Sequence, residues 1–120
     1  MKRISIVVPV YNEEENIAHF AAAVEEVMGR LPYDYELLFI DDGSSDRSRE
    51  ILRMLGERDG RIGSIFLARN YGHQLALTCG IDHADGDAVI TMDGDMQHPP
   101  ELLPVLLKKW EAGCEIVQTV

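Results

Sequence analysis

Apolar runs alternate with amphipathic segments along the whole chain. Ile4 to Val10 is an apolar, β-branched run, which suits a strand buried on both faces and hence a parallel sheet covered by helices. Asn12 then predicts a helix cap. Glu15 follows it in capping-box-like spacing, and Ile17, Phe20, Ala21, Val24 and Met28 repeat at helical intervals until Gly29 and Pro32 stop the pattern. The same unit returns with a strand over Tyr35 to Ile40, a turn over Asp41 to Ser45, and a helix over Asp46 to Arg58 that buries Ile51, Leu52 and Leu55 and ends at Gly60. A third strand, Ile62 to Ala68, leads through Arg69, Asn70, Tyr71 and Gly72 into a helix from His73 to Ala84.

The fourth strand, Ala88 to Met92, ends at Asp93. Pro99 and Pro100 preset a helix start near Glu101, because Pro104 is tolerated only in a first turn. Leu102, Leu103, Leu106, Leu107 and Trp110 form its buried stripe up to Gly113, and Glu115 to Val120 reads as a fifth strand. This alternation predicts a doubly wound, mainly parallel α/β sheet with right-handed crossovers.

In such sheets ligands bind beyond the carboxyl ends of the strands, where the strand order reverses. The polar clusters all fall there. Tyr11, Asn12 and Glu13 follow strand one, Asp41 and Asp42 follow strand two, Arg69 follows strand three, and Asp93 and Asp95 follow strand four. Four loops therefore converge on one predicted rim.

Composition narrows what that rim can bind. A length of 120 residues, with 46% hydrophobic and 27% charged, fits one globular domain. The formal net charge of -10 sets the chain's own field against a phosphate backbone, so nucleic acid is not an expected partner. A small anion bound by so acidic a domain needs local screening by a metal, a helix N-terminus or placed arginines. Ile4 to Val10 is far shorter than the ~20 residues that cross a bilayer, and no signal pattern precedes it, which predicts a cytoplasmic domain. Cys79 and Cys114 are read as buried free thiols in a reducing compartment.

Asp93 and Asp95 flank Gly94 directly after an apolar strand, and Gln97 adds a neutral oxygen. Magnesium or manganese shared with a diphosphate suits this incomplete cage, since such ions are commonly held by one or two carboxylates plus substrate phosphates. Taken alone, the same residues describe an acidic turn that caps the next helix. Asp41, Asp42, Gly43 and Ser44 also read as a turn, with Ser45 a candidate cap for the following helix. Two adjacent carboxylates repel each other, so at least one is expected to accept hydrogen bonds from a base or ribose.

Pro9, Tyr11, Asn12 and Glu13 lack the glycines of a dinucleotide-binding turn, which disfavours nicotinamide and flavin cofactors. Tyr11 and its polar neighbours can instead orient a nucleoside. Arg69, followed by Asn70, is a candidate to offset donor-phosphate charge. His73 reads more simply as a solvated first-turn residue, and His19, His83 and His98 as surface or capping residues.

Four stretches together resemble the inverting family 2 glycosyltransferases, in particular the polyprenyl-phosphate sugar transferases. They are VVPVYNEEENI at Val7 to Ile17, DDGSSD at Asp41 to Asp46, ARNYGHQLALTCGI at Ala68 to Ile81, and MDGDMQHPPELLP at Met92 to Pro104. The resemblance implies a Rossmann-like GT-A fold. It places Pro9, Tyr11, Glu13 and Asp42, with Asp41 beside them, around the donor nucleoside, and Asp93, Asp95 and Gln97 at the metal and diphosphate. Arg69 corresponds to an arginine near the donor. Residues 1–120 then represent the nucleotide-sugar-binding N-terminal part, with the acceptor-binding part and any membrane segment outside this sequence.

The implied reaction moves a sugar from a nucleoside diphosphate, UDP favoured and GDP the alternative, to a polyprenyl phosphate at the cytoplasmic face of a membrane. A saccharide hydroxyl acceptor is the rival within the family; it requires a carboxylate base that these residues do not identify. A nucleotide-binding module without turnover is the non-enzymatic rival. An aspartate-nucleophile phosphatase is disfavoured because the acidic pair follows the fourth strand and Gln97 stands where that class has threonine or valine. Homo-oligomerisation is left open.

Overall fold

The computed structural model describes residues 2–94 and 100–111, and the backbone of 116–118. Five strands, β1 (Arg3–Val10), β2 (Asp34–Asp41), β3 (Ile62–Phe66), β4 (Ala88–Thr91) and β5 (Ile116–Gln118), form one parallel sheet in the order β3-β2-β1-β4-β5. The helices between them are α1 (Ile17–Met28), α2 (Ser48–Arg58), α3 (His73–His83) and α4 (Leu103–Glu111), the last preceded by a 3-10 turn at Pro100–Leu102. The predicted doubly wound parallel sheet is therefore present.

The side-chain alternation of β1 explains why both sheet faces are covered. Ile4, Ile6, Val8 and Val10 point into the larger core, which they share with Phe20 and Val24 of α1, Leu52 of α2 and Leu103 and Leu107 of α4. Val7 points the other way, onto Ala76 of α3 with Leu38 and Ile40 of β2. Gly80 lets α3 lie close to the sheet: a β-carbon there would stand 2.3 Å from Val7 Cγ1 and 3.0 Å from Ile40 Cγ1.

Several boundaries differ from the sequence expectation, each for a tertiary reason. α1 begins at Ile17, and Asn16, which makes no side-chain cap bond, stands at its N-cap. Asn12 does not cap α1; its backbone is left-handed at φ 51°, and its Oδ1 accepts from the backbone N–H of Ser45 (2.8 Å) and Asp46 (3.3 Å). α2 begins at Ser48, and Asp46 rather than Ser45 accepts the Ser48 N–H, at 2.9 Å. Ile51 and Leu55 pack against the core only partly buried, whereas Leu52 is fully buried. Leu102 is 38% exposed because it lies in the 3-10 turn, one residue before α4 turns its stripe inward; Pro104 falls in the first turn of α4 as expected. Cys79 is a free, half-buried thiol, and Cys114 lies outside the described residues. No helix among the described residues is long and apolar enough to cross a membrane.

At the amino ends of the strands, Glu36 ties the α3–β4 connection to the sheet. Its carboxylate accepts from Ser5 Oγ at 2.5 Å and from the Asp85 N–H at 3.0 Å, with the Arg3 guanidinium 3.9 Å away. Burial pushes its pKa up, but the hydrogen bonds from Ser5 and Asp85 and the charge of Arg3 outweigh burial and hold it below the usual value. A carboxyl whose pKa is lower folded than unfolded contributes its full stability above the unfolded value and loses it as pH falls through the folded one. Glu36→Gln is therefore expected to cost about 1 to 2 kcal/mol in denaturant melts at neutral pH. The gap should close in acid, below the ordinary glutamate range; an equal gap at both pH values would show that charge is not the cause.

Candidate functional site

Parallel order around β1 brings its carboxyl end between those of β2 and β4, so the loops after these strands become neighbours although 30 to 80 residues separate them in the chain. A pocket of about 340 Å³ opens there. Its walls are Pro9, Val10, Tyr11 and Glu13 from the end of β1, Asp42 after β2, Asn70, Gly72 and His73 from the β3–α3 connection, and Asp93 and Gly94 after β4. Pro9, Tyr11, Glu13, Asp42 and Asp93 are thus brought together as the sequence predicts. Asp41 and Arg69 do not line the pocket, and Asp95 and Gln97 lie outside the described residues.

The two adjacent aspartates escape mutual repulsion because successive side chains leave an extended chain on opposite sides. Asp41, the last residue of β2, is fully buried; its Oδ2 accepts from Arg49 Nε at 2.9 Å and from the Ser44 N–H at 3.1 Å. The Arg49 guanidinium also donates to the Leu67 carbonyl and lies 5.6 Å from the centre of the Phe66 ring. Asp42 faces the pocket and holds the β3–α3 loop, its Oδ1 accepting from the Tyr71 N–H at 2.8 Å and its Oδ2 from the Gly72 N–H at 3.0 Å. Both carboxylates therefore have structural partners, which sequence reasoning did not anticipate. Asp41 Oδ1 nonetheless remains buried with no hydrogen-bond partner among the described residues.

The loops after β1 and β2 are fastened to each other in register. Besides the Asn12 carbonyl bonds, the Asn12 N–H donates to Ser44 Oγ (2.9 Å), the Glu13 N–H to Ser48 Oγ (3.0 Å) and the Glu14 N–H to Asp46 Oδ2 (3.2 Å). Burial pushes the Asp46 carboxyl up in pKa, but hydrogen bonds from the Ser48 hydroxyl and the Ser48 and Glu14 amides bring it below the usual range. This fastening sets the direction of Tyr11, which stays 47% exposed at the pocket mouth, and of Glu13, whose Oε2 accepts from Asn16 Nδ2 at 2.9 Å.

Close approach at two glycines sets the other two walls. Gly43 has φ 77°, and a β-carbon there would lie 2.4 Å from Arg69 C and Asn70 N, so the loops after β2 and β3 touch backbone to backbone. Gly94 is instead pressed onto β1 side chains, where a β-carbon would meet Val10 Cγ1 at 2.9 Å and Val8 Cγ1 at 3.3 Å. That contact leaves Asp93 at the pocket edge, 39% exposed, with Oδ1 3.6 Å from His73 Nε2. Arg69 stacks its guanidinium 4.9 Å above the Tyr71 ring. His73 is the pocket residue that sequence reasoning undervalued, and of the Arg69–Asn70 pair it is Asn70 that lines the pocket; the signal for both is the rim position after β3.

Fold and pocket together define an α/β domain with an open pocket at its topological switch point and an acidic, carboxylate-bearing rim. The chain belongs to glycosyl transferase family 2, whose model matches residues 5–120. It is 49% identical over 116 residues to the uncharacterized glycosyltransferase YkcC of Bacillus subtilis (strain 168), covering 97% of this chain and 36% of that protein. It is 45% identical over 115 residues to the bactoprenol glucosyl transferase of Shigella phage SfV, covering 96% of this chain and 38% of that protein. The chain thus spans little more than a third of these relatives' length. Among solved structures it resembles a mannosyltransferase from Pyrobaculum calidifontis in complex with GDP-Man and Mn2+, with a TM-score of 0.73 at 22% identity, covering 89% of this chain and 32% of that one. The fold is that of the GT-A glycosyltransferases.

Proposed function

We propose that the protein transfers a sugar, with inversion, from a nucleoside-diphosphate sugar to a polyprenyl phosphate at the cytoplasmic face of a membrane. The observation that carries this reading is the meeting of Tyr11, Glu13, Asp42 and Asp93 in one pocket at the switch point of a family 2 fold. The bactoprenol glucosyl transferase relative supports the lipid-phosphate acceptor.

In this reading Pro9, Tyr11, Glu13 and Asp42 form the nucleoside wall, and Asp41, buried behind it on Arg49 and the Ser44 amide, supports the loop that carries Asp42. Asp93 presents a half-exposed carboxylate, a hard oxygen donor next to Gly94 where the chain packs onto β1, and so fits a divalent cation. Asp93, Asp95 and Gln97 would hold Mg2+ or Mn2+, which when bound neutralises charge on the leaving diphosphate.

The acceptor phosphate oxygen forms a bond to the anomeric carbon while the bond from that carbon to the diphosphate oxygen breaks, its electron pair leaving with the nucleoside diphosphate. The nucleophile is already anionic and needs no strong base, so the chain's own contribution is positioning: the fastened loops hold the nucleoside while Asp93 faces the diphosphate. Arg69, stacked beside the pocket, can offset donor charge without lining it.

Calorimetric titration of the full chain with UDP and with GDP, each with and without Mg2+ or Mn2+, tests the reading. The expected result is saturable binding of one nucleotide, strengthened about tenfold or more by metal. Absence of metal-enhanced binding of either nucleotide to the folded protein overturns it. In transfer assays, a lipid-linked sugar should form only when polyprenyl phosphate is supplied; a product made on a saccharide hydroxyl alone would reassign the acceptor.

A further inference from the structure

We infer that His73 contacts the donor's diphosphate and makes the pocket select nucleoside diphosphates over monophosphates; this rests on the nucleotide-sugar reading above. Among the described residues the pocket carries three carboxylates, Glu13, Asp42 and Asp93, and its side-chain donors are Tyr11, Asn70 and His73. An anionic ligand entering such a pocket needs donors on the protein side. The Asp42 carboxylate is already engaged by two loop amides, and the Arg69 guanidinium lies on Tyr71 away from the lining. His73 stands at the end assigned above to the diphosphate, its Nε2 3.6 Å from Asp93 Oδ1.

The backbone presents His73 in a specific way. It is the first residue of α3, directly after Gly72, whose φ of 104° a side chain rarely adopts. A β-carbon on Gly72 would meet nothing within 4 Å, so glycine is needed there for conformation and not for space. That turn, pinned by Asp42, brings the imidazole beside Asp93. The pairing with Asp93 does little for stability, because the two side chains are 58% and 39% exposed. An imidazole N–H is a donor that a phosphate oxygen accepts from.

The test is a set of calorimetric affinities for the full chain and its His73→Leu and His73→Gln variants, measured with UDP, GDP, UMP and GMP, in Mg2+ and in chelator. His73→Leu should weaken the diphosphate that binds wild type by about tenfold and its monophosphate by less than about twofold, with the melting temperature unchanged. His73→Gln, which keeps an N–H donor, should recover most of the loss. Equal weakening of both nucleotides, no weakening of either, or identical behaviour of the Leu and Gln variants overturns the assignment of His73. If wild type itself binds no nucleotide, the nucleotide-sugar reading fails first and takes this one with it.

Discussion

Alanine in place of Asp93 is expected to lower sugar transfer by roughly two to three orders of magnitude at saturating donor, the range seen when one preorganised group that stabilises leaving-group charge is removed. Fold and nucleoside wall should survive. Asp93 is 39% exposed and follows the last residue of β4 by two positions, so its loss creates no core cavity, and the melting temperature should move by less than about 2 °C. Nucleoside monophosphate affinity should also stay near wild type, because Pro9, Tyr11, Glu13 and Asp42 are untouched. Initial rates of lipid-linked sugar formation with Mg2+ or Mn2+ provide the measurement, and near-normal rates would remove Asp93 from the diphosphate site.

A single methyl group at Gly43 should do more damage to the fold than any surface charge change. In Gly43→Ala the added carbon meets the Arg69 and Asn70 backbone at 2.4 Å while the residue keeps a φ of 77° that alanine disfavours. Backbone cannot rotate aside as a side chain can. The loop after β3 must move away, which pulls the Tyr71 and Gly72 amides from the Asp42 carboxylate. The combined cost is about 3 kcal/mol or more, or a fall in melting temperature of more than about 10 °C, together with loss of nucleotide binding. Gly60→Ala serves as control, since nothing lies within 4 Å of that β-carbon; a Gly43→Ala variant as stable as Gly60→Ala would refute the close-contact account.

The positions with strong local causes were legible in the sequence. The apolar run of β1, the helical stripe of α1 and the placement of polar residues just after each strand follow from periodicities that each segment carries within itself. The prediction that the loops after β1, β2, β3 and β4 share one rim needed only parallel topology in addition. What failed were the helix caps assigned to Asn12 and Ser45 and the reading of Asp41 and Asp42 as a repelling pair. Asn12 looks like a local helix cap, but its carbonyl is claimed by amides 33 and 34 residues away. Asp41 and Asp42 look like one repulsive pair, but the pleat sends them to different partners, Arg49 on one side and the Tyr71 and Gly72 amides on the other.

By itself, then, the sequence determined the order of strands and helices, the covering of β1 on both faces and the rim on which its polar residues gather, because each is set by short-range spacing of apolar and polar side chains. Only the tertiary structure decided that Asp42 clamps the loop after β3, that Arg69 rests on Tyr71 outside the pocket, and that His73 meets Asp93. The physical reason is range. Each of those outcomes turns on angstrom-scale contacts between loops brought together by parallel pairing around β1, and no local pattern in a single loop encodes which group on another loop it will meet.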